Sequence, residues 1–136
     1  MSYSTFETEI SVRPDDIDFL NHVHSSKYFD YVLAARYDQM ARCYGFSMEQ
    51  FIARGLGWVV KEAHIEHKRP LMMGDRVRVQ TRVAEFGKDG VRVEFVMLRH
   101  ASGKICSQGW SYYTLVELAT GRAAALPSDV VEKYSI

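Results

Sequence analysis

The sequence is poor in the features that mark most specialised classes of protein. It has two cysteines, Cys43 and Cys106, far apart and without CxxC or metal-ligand spacing. That argues against a disulfide framework, and both are expected as free thiols in a reducing compartment. Its three prolines fall at segment boundaries rather than inside periodic runs. Net charge is missing as well, because 17 basic side chains balance 17 acidic ones. No field of one sign then favours nucleic acid or an anionic membrane as a partner. No apolar run approaches the roughly 20 residues that a membrane span requires. The opening MSYSTFETEI shows neither a basic n-region nor an apolar h-region, so no secretory signal is read and the cytoplasm is the expected compartment. What is left is an ordinary globular composition, 136 residues with 47% apolar and 25% charged side chains. That fits a single domain over residues 1–136 with one proper core, and no linker, low-complexity tract or internal repeat interrupts it.

The periodicity divides the chain into one long helix, a short one and five strands. A first strand is predicted over Thr5–Arg13, ended by Pro14. A long helix follows from about Ser26 to Tyr44, with Ser25 or Ser26 as its cap, Asp30 in its first turn and Gly45 as its stop. Apolar residues cover most of its circumference, which predicts burial on several sides. Ser47 and Gln50 have capping-box spacing for a second helix over Ser47–Ala53. After Gly57 the pattern is strand: Trp58–His67, then Arg76–Val83 with clean alternation of Val77, Val79, Thr81 and Val83 against Arg76, Arg78, Gln80 and Arg82. Lys88-Asp89-Gly90 reads as a hairpin into Val91, Val93, Phe95 and Met97. Ala101-Ser102-Gly103 turns the chain into a last strand, Lys104–Glu117, and Pro127 opens a C-terminal helical turn. Short connections favour antiparallel neighbours, so the fold class is α+β with one antiparallel sheet of about five strands curled around the long helix. The unpaired edges of such a sheet invite a second copy of the chain.

One stretch demands more than a fold. Residues 15–31, DDIDFLNHVHSSKYFDY, crowd carboxylates, histidines and serines directly ahead of the most apolar helix. Read from the residues alone, this is either a polar loop that caps the helix or an active site that uses the helix N-terminus. His22 and His24 with Asp16 and Asp18 also suit a metal such as zinc or non-haem iron, but the spacing constrains no ligand set, and no metal is expected.

The order Asp16-Ile17-Asp18-Phe19-Leu20-Asn21-His22-Val23-His24-Ser25-Ser26-Lys27-Tyr28 resembles a motif of the hotdog-fold thioesterases, in particular the branch that includes 4-hydroxybenzoyl-CoA thioesterase. Arg69-Pro70 followed by Gly74-Asp75, and Thr120-Gly121-Arg122 ending in Leu126-Pro127, match the same family in the same order, so the resemblance covers nearly the whole chain. It departs at His24, where many relatives have Asn, and at Asn21, where many have Gly.

The resemblance implies an acyl-CoA thioesterase without a cofactor, coenzyme A being part of the substrate, and a homodimer or dimer of dimers whose edge strands pair. It puts Asp18 at the catalytic carboxylate, as nucleophile or as general base. Backbone N–H groups near Ser25, at the helix start, would receive the charge of the tetrahedral state, where unpaired amides and the helix dipole favour an anion. His22 is implied as an orienter of the loop or a direct participant. His24 is implied as a pocket-lining group, and Tyr28 as core packing whose hydroxyl alternatively meets substrate. Lys88, with Arg69 and Arg92 as accomplices, is implied near the CoA phosphates. Asp16 is read as a structural acceptor or as a neighbour that would raise the pKa of one of the two carboxyls. The alternatives are a dehydratase or hydratase on the same fold, and an acyl-CoA-binding protein without turnover.

Overall fold

The computed structural model describes residues 3–136; Met1 and Ser2 of the expected 1–136 domain lie outside the described residues. The elements run β1 (Thr5–Ser11), α1 (Tyr28–Arg42), α2 (Met48–Ala53), β2 (Leu56–His67), β3 (Arg76–Phe86), β4 (Gly90–Arg99), β5 (Ile105–Glu117) and α3 (Ser128–Tyr134). The strands form one antiparallel sheet in the order β1-β3-β4-β5-β2, which leaves β1 and β2 as its edges. This is the α+β architecture expected from the hairpin signals, with five strands against a long helix.

The alternation of β3 does what it predicted. Val77, Val79, Thr81 and Val83 are buried against the helical layer, and β4 adds Val91, Val93, Phe95 and Met97 on the same face. Strand β3 nevertheless runs three residues past its predicted end. The register slips between Val83 and Glu85, so the alternation breaks there while the strand continues. A second slip between Val60 and Glu62 lies in β2. Gly109 of β5 lets β2 pass close, since a Cβ there would fall 1.9 Å from the carbonyl oxygen of His64.

Helix α1 lies against β1 and β3 and buries Tyr28, Tyr31, Val32, Ala35, Arg36, Gln39 and Met40. The expectation that it would be covered on several sides is not met within one protomer. Leu33 is 37% and Tyr37 53% exposed, because the helix lies on β1 and β3 and its other flank meets α2 only in part, through the Tyr37 hydroxyl donating to Glu49. The short helix has the predicted capping box, Ser47 receiving the Gln50 amide while the Gln50 side chain receives that of Ser47. Gly45 adopts φ +70° just past α1, the left-handed conformation that ends helices and that glycine adopts without strain.

Two apolar clusters divide the core. One gathers Val12, Val23, Tyr31, Val32, Leu71 and Met97 beneath the start of α1. The other gathers Met40, Phe51, Val83, Val91, Leu115 and Tyr134 at the end of the sheet where β3 turns into β4. Among the described residues no helix is long and apolar enough to cross a membrane.

Candidate active site

The chain leaves β1 through a single 3-10 turn, Pro14–Asp16, where proline at the first position suits the turn. Asp16 then drops into the core at 3% exposure. Its Oδ2 accepts the Tyr31 hydroxyl at 2.7 Å and Arg13 Nε at 2.9 Å. Burial alone would raise this carboxyl, but the two hydrogen bonds and the Arg13 charge outweigh it and hold the group below its ordinary value. Burial, with the carboxylate as acceptor, pushes the Tyr31 hydroxyl up to about 12. Asp16 is thus a structural acceptor.

Residues 17–23 form a small closed loop. Ile17 and Val23 pair across its base, the Asp18 amide donates to the His22 carbonyl at 2.8 Å, and the Val23 amide donates to Leu71 at 2.8 Å. Asn21 has φ +61°, a left-handed conformation that asparagine tolerates better than most residues. That conformation accounts for asparagine at this position. Phe19 and Leu20 form the tip and stand out at 109% and 72% exposure.

Inside this loop Asp18 is held by one oxygen only. Its Oδ1 accepts the amides of Leu20 at 2.9 Å and His22 at 3.1 Å, while Oδ2 has no donor among the described residues. The Leu20 amide, supported by that of His22, holds the carboxyl below its ordinary value. A raised pKa from the neighbouring Asp16 is therefore not found, and the reason is geometric: Asp16 turns away to Tyr31 and Arg13. Asp18 is a carboxylate at neutral pH. If it acts as one, the acid limb of kcat/KM lies below the ordinary aspartate value of about 3.9. A pH–rate profile with an acid limb at pH 5 to 6 assigned to Asp18 would contradict that.

The helix start differs from the expectation. A 3-10 turn, Ser25–Lys27, precedes α1; Lys27 stands at the N-cap of α1 without a side-chain bond, and neither serine caps the 3-10 turn. His24 does: its Nδ1 accepts the Ser26 amide at 3.2 Å and lies 2.8 Å from Ser26 Oγ. The backbone explains the choice, because the His24 amide is itself anchored on the Asp16 carbonyl at 2.8 Å, which sets the ring over the turn. The Lys27 amide returns to the His24 carbonyl at 2.9 Å. Of the amides in this turn, that of Ser25 is left without a protein acceptor among the described residues.

His22 contributes through its backbone, as the donor to Asp18, and through pairing with Met72. Tyr28 is 4% exposed and its hydroxyl accepts the Leu71 amide at 2.8 Å. Asp18, His22, His24, Ser25 and Tyr28 therefore share one corner of the fold. Lys88 does not. The loop adjoins Arg76, where β1 pairs with the first residue of β3, whereas Lys88 sits in the hairpin beyond Phe86. At about 3.3 Å per strand residue the two ends are roughly 30 Å apart. Arg69 donates to the Ile105 carbonyl at 2.7 Å, and Arg92 lies over the Trp110 ring at 4.3 Å on the outer face of the sheet.

One neighbour of the site escaped the sequence reading. His67, the exposed last residue of β2, packs edge-on to Tyr28 with ring centroids 4.5 Å apart, and its Nδ1 lies 2.9 Å from Ser107 Oγ. Only its strand register, which puts it on the same face as Ile65, could have indicated this. No group of three or more His, Cys, Asp or Glu among the described residues is arranged to hold a metal ion.

Comparison with known proteins agrees with this geometry. The family model for the thioesterase-like superfamily matches residues 12–134. The chain is 24% identical over 128 residues to the long-chain acyl-CoA thioesterase FadM of Escherichia coli, covering 93% of this chain and 95% of that protein. A DHNA-CoA thioesterase from Staphylococcus aureus superposes with a TM-score of 0.90 at 20% identity, covering 96% of this chain and 89% of that one. A hypothetical protein from Thermus thermophilus superposes with a TM-score of 0.88 at 29% identity, covering 97% and 96%. With the motif, the loop and the sheet in agreement over nearly its full length, the chain belongs to the thioesterase-like superfamily and is a thioester hydrolase of the hotdog fold.

Proposed function

We propose that the protein hydrolyses an acyl-CoA thioester to a free acid and CoA, with Asp18 as nucleophile or general base and the Ser25 amide as oxyanion donor. The observation that carries this reading is the division of labour at Asp18: Oδ1 is pinned by two amides, and Oδ2 has no partner among the described residues. A carboxylate fixed at one oxygen is oriented without being neutralised, so the other oxygen can attack a carbonyl or take a proton from water. The uncommitted Ser25 amide at the start of the helical segment supplies a donor where the tetrahedral oxygen becomes negative. His22 orients the loop through its amide, and His24 fixes the 3-10 turn that leads into α1 as that turn's cap. The Escherichia coli relative, named as a long-chain acyl-CoA thioesterase, supports CoA as the carrier and an acyl chain as the group released.

The same reading extends to assembly in the cytoplasm as a homodimer, and through dimer pairing to a tetramer. Strand β2 is an open edge, with Val59 at 49% and Val60 at 38% exposure. Leu33 and Tyr37 on the exposed flank of α1 and Phe19 at the loop tip add apolar surface to be covered. In this reading Lys88, which stands at the far end of the sheet from the loop of its own protomer, is assigned to the site of the second copy. Phe19→Ser tests this: it leaves the protomer's stability unchanged and, by removing from each of the two subunits a side chain worth about 1.5–3 kcal/mol of burial, weakens the dimer by roughly 100-fold or more in sedimentation experiments. A variant that dimerises like the native protein removes Phe19 from the interface.

Free-thiol release from a panel of short, branched, aromatic and long acyl-CoAs tests the activity directly. Turnover on at least one member is expected. CoA esters that bind and are never cleaved would sink the hydrolysis of acyl-CoA.

A further inference from the structure

The second feature of the molecule that calls for a ligand lies away from Asp18. A cavity of about 350 Å³ opens between the second half of α1 and the hairpin end of the sheet. Its wall is apolar, built from Met40, Trp58, Phe86 and Val91 among others, together with Leu33 and Val60 of the face that the proposed dimer also covers, and it contains one charged side chain, Arg36. The volume falls at the small end of the range for ligand pockets.

Arg36 has no counter-ion among the described residues. The residue is 7% exposed, and no carboxylate of the described residues pairs with it. One of its five donors reaches a partner, Nη1 to Thr81 Oγ1 at 3.2 Å. The guanidinium otherwise lies over the Tyr44 ring, 5.4 Å from its centroid. The phenols near it cannot supply the missing charge, because burial pushes both Tyr113 and Tyr134 upward and keeps them protonated at neutral pH. The remaining nitrogens, Nε and Nη2, are neither hydrogen-bonded to a described residue nor sealed from solvent, so a largely buried guanidinium keeps donors open to an anion that arrives to pair with it. Since the rest of the wall is apolar, the rest of that ligand must be hydrocarbon.

We propose that this cavity binds the carboxylate of a hydrocarbon-chain ligand, with the Arg36 guanidinium pairing the carboxylate and the apolar wall holding the chain. Two sources share this chemistry: a free fatty acid, or an acyl substrate that carries a second carboxylate at its far end. The second source rests on the proposed thioesterase reading; binding of the free acid does not.

The test compares dodecanoate with dodecanol by calorimetry, on the native protein and on Arg36→Met and Arg36→Lys. A charge-assisted pair to a guanidinium gives dodecanoate an advantage of about tenfold or more over the alcohol of equal length. Arg36→Met is expected to abolish that advantage and Arg36→Lys to keep part of it. Because it removes an unpaired buried charge and keeps most of the volume, Arg36→Met without ligand also melts no lower than the native protein. Equal binding of acid and alcohol to the native protein, no binding of either, or an acid preference that survives in Arg36→Met would each overturn the proposal. So would a lower melting temperature in Arg36→Met without any dependence on ligand charge, which would show that a protein group already neutralises Arg36. The ratio of kcat/KM for ω-carboxydodecanoyl-CoA over dodecanoyl-CoA separates the sources. A ratio well above one that falls in Arg36→Met assigns the carboxylate to the substrate; a ratio near one, with the binding result intact, assigns it to the free acid. The calorimetric arm needs no turnover, so failure of the hydrolase reading leaves it readable.

Discussion

Replacing Asp18 with Asn is expected to lower kcat/KM by at least about a hundredfold, the range lost with a positioned acid–base group. The substitution is clean for a structural reason. An asparagine Oδ1 accepts the Leu20 and His22 amides as the carboxylate does, so the loop keeps its hydrogen bonds. What disappears is the charge and basicity of the second oxygen. Thiol release should be measured on the best acyl-CoA of the panel, beside a melting curve that matches the native protein. If more than a tenth of the native rate survives in such a folded variant, Asp18 is a loop-forming acceptor and the catalytic carboxylate lies elsewhere.

The second large effect belongs to Asp16 and is one of stability. Asp16→Ala leaves the Tyr31 hydroxyl, on a residue 1% exposed, without its acceptor. An unsatisfied buried hydroxyl costs about 1–3 kcal/mol. The lost bond from Arg13 adds less, since that side chain is 56% exposed and solvent screens it. A total near 3 kcal/mol lowers Tm by roughly 10 °C in a domain of this size. The pH dependence has a definite sign. The folded carboxyl sits below its ordinary value, so its contribution is complete above about pH 4 and lost as pH falls through the folded pKa. Chemical denaturation at several pH values should show the gap between native and Asp16→Ala holding at neutral pH and closing in acid. A gap that widened in acid would mean that the group stabilises the fold as the neutral acid.

Both predictions turn on two carboxylates one residue apart whose roles the chain itself does not separate. In sequence they look like a coupled pair. In the fold, the 3-10 turn after Pro14 sends Asp16 inward to Tyr31, while the Asn21 turn folds two amides back onto Asp18. The pKa rise expected from proximity fails for that reason.

Elsewhere, legibility followed the range of the interaction. The hairpins at Lys88-Asp89-Gly90 and Ala101-Ser102-Gly103, the inward row of β3, the stop at Gly45 and the Ser47–Gln50 box are each decided within a few residues, and each is found where the pattern put it. The end of β3 was hidden by a bulge, since two-residue alternation cannot be followed across a slipped register. His24 displaced the serines as cap because its amide is tied to Asp16, a contact made by the folded loop.

By itself, then, the sequence determined the α+β class, the order of elements and the corner where the polar motif stands, because periodicity, turn chemistry and the spacing of residues 16–28 are local properties of the chain. Among the described residues, only the tertiary structure decided which oxygen of Asp18 lacks a donor, that Lys88 stands at the opposite end of the sheet, that one flank of α1 is exposed, and that Arg36 lies buried without an anion. Each of these depends on where β3, β5 and α1 meet, and such distances are set by packing between segments far apart in the chain.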